Sequence, residues 1–237
     1  MPSAYLLVSH GSRDPRPEIA MQHLAQMVRN KLHCLQPKSQ MVGVAYLELS
    51  PESLHEQVIR FARDAIACGC DRLKILPLFL LPGVHVMEDI PSQVDLARQV
   101  VGEDIMIDLL LYLGSNSGLK RLLERKVTNN YQWILLAHGS RRSGSKLVVE
   151  DMAACLGAVA AYWNVKQSLL LRVRELIGAG YEKIGILPYF LFAGGVTDAI
   201  CWRIEELRLE FSEVCFFLAE PLGMSDELVD LVWELLE

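Results

Sequence analysis

No apolar run in this sequence is long enough to cross a bilayer. The longest, Ile75 to Val86, is broken by Pro77, Pro82 and Gly83 and reads as a buried strand plus a turn. No secretory leader is expected, because Met1-Pro2-Ser3-Ala4 runs straight into a strand-like segment. Positive charge is scarce: 23 Lys and Arg against 29 Asp and Glu leave a net charge of −6, which argues against a nucleic-acid binder. The six cysteines, Cys34, Cys68, Cys70, Cys155, Cys201 and Cys215, are scattered, and Cys68-Gly69-Cys70 is not a zinc spacing. A disulfide framework does not suit a chain this large and apolar, so the thiols are read as reduced, in a cytoplasmic protein. Neither G-x-G-x-x-G nor a Walker loop follows the first strand, which counts against a nucleotide-binding enzyme.

What the sequence has is apolar bulk and repetition. Of 237 residues, 51% are apolar, enough for one large domain or two small ones. His10-Gly11-Ser12-Arg13 recurs as His138-Gly139-Ser140-Arg141, each copy after an apolar strand. Leu76-Pro77-Leu78-Phe79-Leu80 recurs as Leu187-Pro188-Tyr189-Phe190-Leu191, and Tyr112-Leu113-Gly114 more weakly as Pro221-Leu222-Gly223. Three matches in one order indicate an internal repeat. The polar stretch Lys126 to Asn130 sets the expected boundary: domains over 1–126 and 127–237.

Each half reads as alternating strands and helices. In the first, strands are expected at 4–9, 41–48, 73–80 and 105–112. The helix between the second and third strands has Ser50 as its expected cap, Pro51 in its first turn and Gly69 at its end. Its apolar stripe is Leu54, Val58, Phe61, Ala62, Ala65 and Ile66. A βαβα order implies a parallel sheet covered on both faces, hence an α/β fold. His10 and Glu48 are 38 residues apart, whereas His138 and the counterpart Asn164 are 26 apart, so the first helix of the second half should be shorter.

In open parallel sheets, ligands bind beyond the carboxyl ends of the strands. His10 ends the first strand, Glu48 the second, and His85 lies past the third. Imidazole nitrogen and carboxylate oxygen suit divalent ions such as Fe²⁺, Co²⁺, Ni²⁺ or Zn²⁺, and an incomplete shell leaves positions open for exchange. Asp89, before Ile90-Pro91, reads as a helix N-cap. Glu88 is left open between a carboxylate assisting the site and a surface charge. His23, His33 and His55 read as solvated helix residues. In the repeated motif, glycine allows a sharp turn, Ser12 and the following amides could bind a carboxylate, and Arg13 could do so bidentately. Arg141, Arg142 and Lys146 add positive charge, and a locally basic cleft suits a polycarboxylate ligand.

Ser9 to Arg13, Tyr46-Leu47-Glu48, and the run from Leu76 to Pro91 together resemble the sirohydrochlorin cobalto/ferrochelatases of the class II chelatase superfamily. Leu187 to Phe192 resembles the C-terminal repeat of the long, two-domain form. The resemblance implies two similar α/β domains, each a small parallel sheet flanked by helices, with a cleft between them. It implies a metal-inserting lyase that places Co²⁺ or Fe²⁺ in sirohydrochlorin without ATP, toward cobalamin or sirohaem. No cofactor is implied beyond the substrate metal ion, with Ni²⁺ or Zn²⁺ as substitutes in vitro. By this resemblance His10 and His85 bind the metal and, with Glu48, catalyse. Ser12, Arg13, His138, Ser140, Arg141 and Arg142 are the candidates for binding the substrate, against apolar walls such as Leu80, Leu81, Phe190 and Phe192. The second half keeps His138 but has Asn164 opposite Glu48, and Ala193 to Thr197 in place of the stretch with His85. It is therefore expected to serve as substrate wall or lid. A monomer is favoured over a dimer, with no nucleic-acid or membrane partner. Iron versus cobalt stays open, as do two other classes of reading, a metal-delivery protein and a noncatalytic tetrapyrrole carrier.

Overall fold

The computed structural model describes residues 2–35, 41–140 and 142–237. Its contacts divide the chain into two units, Met1–Asn116 with Met224–Glu237, and Ser117–Gly223. The first unit is built from β1 (Ser3–Ser9), α1 (Pro15–Leu35), β2 (Val42–Tyr46), α2 (Leu54–Ala67), β3 (Arg72–Pro77), α3 (Ile90–Val101) and β4 (Met106–Leu109). The strands pair in parallel in the order β2-β1-β3-β4. The second unit repeats the plan with α4 (Gly118–Glu124), β5 (Gln132–Ala137), α5 (Ser143–Cys155), β6 (Ala158–Tyr162), α6 (Ser168–Gly178), β7 (Lys183–Tyr189), α7 (Gly195–Glu210) and β8 (Cys215–Leu218), in the order β6-β5-β7-β8. The α/β class and the paired domains expected from the sequence are what the structure contains.

Crossover helices cover the sheets, and the central strands are accordingly apolar on both faces. In the first unit Ala4, Leu6 and Val8 pack with Val58 and Ala62 of α2 and Val94 and Ala97 of α3. The intervening residues Tyr5 and Leu7 point to the other face. There α1 buries Met21, Leu24, Val28 and Leu32, and a last helix, α8 (Asp226–Leu236), buries Leu228, Val229, Leu231, Val232 and Leu236. Lys74 of β3 donates to the carbonyl of Leu236, and Lys31 of α1 pairs with Asp230, fixing α8 in place. In the second unit Ile134 and Leu136 pack with Leu169 and Val173 of α6 and Ile200 and Ile204 of α7. The shorter first helix of the second half is present: α5 has 13 residues against 21 for α1.

Three expectations differ. The division does not follow the boundary at 126/127, because α4 belongs to the second unit and α8 returns to the first. The strands expected to reach 48, 80 and 112 stop at Tyr46, Pro77 and Leu109: β1 ends at Ser9 and leaves β2 and β3 without a ladder, and β4, paired only with β3, ends with that pairing. Helix α2 starts at Leu54, not beside Ser50. Ser53 is its cap: the Ser53 amide donates to Glu56 Oε2 at 2.8 Å and its hydroxyl to the same oxygen at 2.6 Å. Among the described residues the thiols of Cys68, Cys70, Cys155, Cys201 and Cys215 are free, and no helix is long and apolar enough to cross a membrane.

Candidate metal centre

The site forms where β1, β2 and β3 release their chains at the carboxyl edge of the first sheet. Past the ladder, two backbone bonds keep the exits of β1 and β2 side by side: Leu47 N–H to Ser9 O at 2.9 Å, and Glu48 N–H to His10 O at 2.9 Å. His10 and Glu48 are thereby neighbours although 38 residues separate them. Gly11 makes the approach possible. Its φ is +95°, and a Cβ there would lie 2.0 Å from the Glu48 carbonyl oxygen. Leu49, next to Glu48, also has a left-handed backbone, φ +58°. Gln57 of α2 holds this exit from behind. Its amide donates to the carbonyls of Tyr46 (2.8 Å) and Glu52 (3.0 Å) and accepts from the Tyr46 N–H (3.0 Å), so the backbone on both sides of Glu48 is tied down.

His85 arrives from β3 on a π-helical turn, His85–Asp89, that runs into α3. In that turn the Ile90 N–H bonds back to the His85 carbonyl, five residues earlier. The turn accommodates one extra residue. Eleven residues separate Phe79 from the first buried residue of α3, Ile90, but only ten separate Phe190 from its equivalent in α7, Ile200. The second unit has no such turn there.

His10, Glu48 and His85 each offer a ligand atom, and these atoms lie within 4.8 Å of one another. His10 Nδ1 is 3.7 Å from Glu48 Oε2, and the two imidazole centroids are 4.8 Å apart, edge to face at 85°. Ligands sharing an ion at 2.0–2.2 Å sit about 3–3.5 Å from each other, so a small contraction closes the set. Phe79 lies beneath both rings, 6.3 Å from His10 and 6.4 Å from His85. The two histidines expected to hold the metal and the carboxylate expected to assist them therefore meet. Their side chains are partly open to solvent, which leaves ligand positions to water or substrate.

Two further residues shape the site, and the sequence reading missed both. Asp89 is not an N-cap. Its backbone is already helical and its carboxylate bonds no cap amide; it accepts instead from His85 Nδ1 at 2.7 Å. The i, i+4 spacing of a histidine and an aspartate on one helix was the available signal. Gln57 is buried at 5% exposure inside the apolar stripe of α2, and a polar residue at a core position was its signal. Glu88 is exposed and outside the cluster of ligand atoms. His55, expected to be solvated, instead bonds Gln93 of α3 through Nδ1 at 2.9 Å.

The repeated motif is a turn before it is anything else. Ser12 Oγ accepts from the Asp14 N–H at 3.0 Å, and Ser140 Oγ accepts from the Arg142 N–H at 3.2 Å. Asp14 then caps α1 by accepting from the Arg16 N–H at 3.0 Å, with Pro15 in the first helical position. The Asp14 and Arg16 amides, expected to bind a carboxylate, are thus occupied. Arg13 is exposed and has no ion-pair partner among the described residues. Arg141 and the Cys34 side chain lie outside the described residues.

The second unit copies the scaffold and keeps His138, but has no counterpart of Glu48 or His85. Trp163 N–H bonds Ala137 O at 2.8 Å and Asn164 N–H bonds His138 O at 2.9 Å, as Leu47 and Glu48 do in the first. His138 lies against Phe190 at 6.4 Å as His10 lies against Phe79. Helix α7 starts directly at Gly195, where Thr197 Oγ1 accepts from the Gly194 N–H at 2.8 Å. No histidine or carboxylate cluster forms there among the described residues.

The sequence matches the CbiX family over residues 4–130 and 132–237. The sirohydrochlorin ferrochelatase of Priestia megaterium is 26% identical over 246 residues, covering 97% of this chain and 87% of its own length. The sirohydrochlorin cobaltochelatase of the same organism is 23% identical over 249 residues, covering 97% and 77%. The structure resembles that of SirB from Bacillus subtilis with Fe³⁺, at a TM-score of 0.80 and 18% identity over all of this chain and 94% of that one. It also resembles the sirohydrochlorin chelatase SirB of the subspecies spizizenii in complex with cobalt, at a TM-score of 0.74 and 19% identity over 99% and 94%. At these identities the structural likeness speaks for the fold, whereas the sequence match runs through both repeats: the chain belongs to the CbiX family.

Proposed function

We propose that this protein inserts a divalent metal ion, Co²⁺ or Fe²⁺, into sirohydrochlorin. The observation that carries the reading is the meeting of His10, Glu48 and His85, within 4.8 Å, at the carboxyl edge of the first sheet of a CbiX-family chain. The metal is substrate, so it must be held and then released. Two imidazoles and one carboxylate suit borderline divalent ions, and three protein ligands leave positions for the pyrrole nitrogens to occupy one by one. Insertion exchanges two pyrrole N–H protons for one M²⁺. As the ion passes to the macrocycle, His10, His85 and Glu48 lose it as a partner and regain lone pairs, which take up those two protons and pass them to water. Exposed apolar side chains flank the ligands in sequence, with Leu49 beside Glu48 and Val84 and Met87 beside His85, and supply contact for a flat macrocycle.

The substrate's carboxylates need cations, and Arg13 is open for that role. Ser12 retains a hydroxyl proton to donate. His138, Ser140, Arg141 and Arg142, in the second copy of the motif, are further candidates, and the second unit is assigned the substrate rather than the metal. Nothing beyond the metal ion and the tetrapyrrole is required as cofactor or partner, and a monomer suffices.

The test combines Co²⁺ titration with the absorption change of sirohydrochlorin on metal insertion. One Co²⁺ site per chain is expected, lost in His10→Ala and His85→Ala and kept in His138→Ala. Insertion should fail in the first two variants. A folded His85→Ala protein with near-wild-type turnover, or two equivalent sites per chain, would overturn the assignment. Tight pigment binding without a metal-dependent spectral change would make the protein a carrier.

A further inference from the structure

We propose that Asp89 is a positioning residue that holds His85 in the Nδ1–H tautomer and so presents its Nε2 lone pair to the ion. The proposal rests on the chelatase reading only in naming the ion as the object of that lone pair. At 2.7 Å from His85 Nδ1, the Asp89 carboxylate has lone pairs and no proton to give, so Nδ1 must carry the hydrogen. A neutral ring protonated there has its free pair on Nε2. Free imidazole side chains favour the opposite tautomer. Without Asp89 most neutral rings would carry the proton on Nε2 and would be free to turn about χ2.

The backbone points the same way. Asp89 does nothing for the start of α3, whose cap amides it does not bond. The π-helical turn adds one residue between Phe79 and α3, and one residue turns the chain by about 100° relative to the helix that follows. That extra residue lies in the segment that His85 opens and Asp89 closes. In the second unit, where the extra residue is missing, Ala199 precedes Ile200 as Asp89 precedes Ile90, and no histidine stands upstream of it in α7. The turn and the histidine are present in one unit and absent from the other, where the acidic residue of the stretch, Asp198, stands one position earlier than Asp89 does relative to the buried isoleucine.

The experiment uses the whole chain labelled with ¹⁵N-histidine, without metal, at about pH 8, where the ¹⁵N shifts themselves distinguish neutral from charged rings. Long-range ¹H–¹⁵N correlations report the tautomer of each ring, with the His85 signals assigned by their loss in His85→Ala. Wild type and Asp89→Asn should show Nδ1–H at His85, because an amide oxygen still accepts; Asp89→Ala should show mainly Nε2–H. In competition titrations Co²⁺ should bind Asp89→Ala about 10–100-fold more weakly than wild type, with Asp89→Asn recovering most of the loss. In the insertion assay the KM for Co²⁺ should rise in Asp89→Ala while kcat changes less. An unchanged tautomer in Asp89→Ala, or an unchanged Co²⁺ affinity beside a wild type that binds, overturns the proposal. A wild type that binds no Co²⁺ overturns the chelatase reading instead, and the tautomer measurement then decides by itself whether Asp89 orients the ring.

Discussion

Gly11 and Gly139 show how much of a site can depend on a residue with no side chain. Both have φ above +90°, where a Cβ costs about 1–2 kcal/mol. Their surroundings differ. A Cβ on Gly11 would meet the Glu48 carbonyl at 2.0 Å, which is backbone; one on Gly139 would meet the Asn164 side-chain oxygen at 2.1 Å, which can rotate away. Gly139→Ala should therefore pay mainly the conformational strain. Gly11→Ala should lose more stability than that and should also weaken Co²⁺ binding, because the chain carrying Glu48 is pushed from His10. Urea midpoints and Co²⁺ titrations of the two variants, side by side, check this; equal losses in both would show that the contact with Glu48 is unimportant. The repeated His-Gly-Ser-Arg was legible in the sequence as a turn off a strand. That its serines and first amides would be spent on the turn itself was not, since the same groups suit a bound anion equally well.

At the scale of elements, helix α2 links local sequence to the site. Its cap, Ser53 with Glu56, starts the helix at Leu54 and thereby places Gln57, which anchors the backbone around Glu48. Hydrogen bonds from the Ser53 hydroxyl and amide hold the Glu56 carboxyl below its ordinary range. With the folded value depressed, the contribution of the charged group is present above the unfolded value and is lost as pH falls through the folded one. Glu56→Gln should be less stable than wild type near neutrality, and the two should converge in acid. Thermal melts across pH measure this, and a gap that widened in acid would contradict it. The helix itself was legible from its apolar stripe. Ser50 and Pro51 offered an equally good start on composition, and only the reach of the Glu56 side chain back to Ser53 decided between them. Asp89 failed as a sequence reading for a related reason: Asp before Ile-Pro is a good cap in an α-helix, but the π-helical turn makes its own backbone helical and frees its carboxylate for His85.

At the scale of the molecule, each half ends in a helix counted with the other unit: α4, which follows the first sheet, belongs to the second unit, and α8, which follows the second sheet, belongs to the first. The unit that holds His10, Glu48 and His85 therefore depends on the last residues of the chain. Leu228 of α8 is fully buried, and Leu228→Ala should cost about 2–5 kcal/mol. It should also reduce the fraction of protein able to bind Co²⁺ on warming, although no ligand is touched. Deleting residues 224–237 should leave the first unit unfolded, visible as the loss of its Co²⁺ site and as proteolysis of residues 1–116 while the second unit resists. Wild-type Co²⁺ binding by the truncated chain would show that α8 is dispensable.

The α/β class, the repeat, and the arrival of His10, Glu48 and His85 beyond the carboxyl ends of the first three strands were all determined by sequence. Periodicity and turn residues act locally, and parallel topology then sends every strand's carboxyl end to the same edge. The tertiary structure alone decided where α8 packs, because its stripe of Leu228, Leu231, Val232 and Leu236 suits any uncovered apolar face, and which sheet offers one depends on how α1 has already packed. It alone decided that Asp89 faces His85, because a one-residue change in helical winding has no fixed residue signature and sets side-chain direction only once both ends of the turn are held by the core.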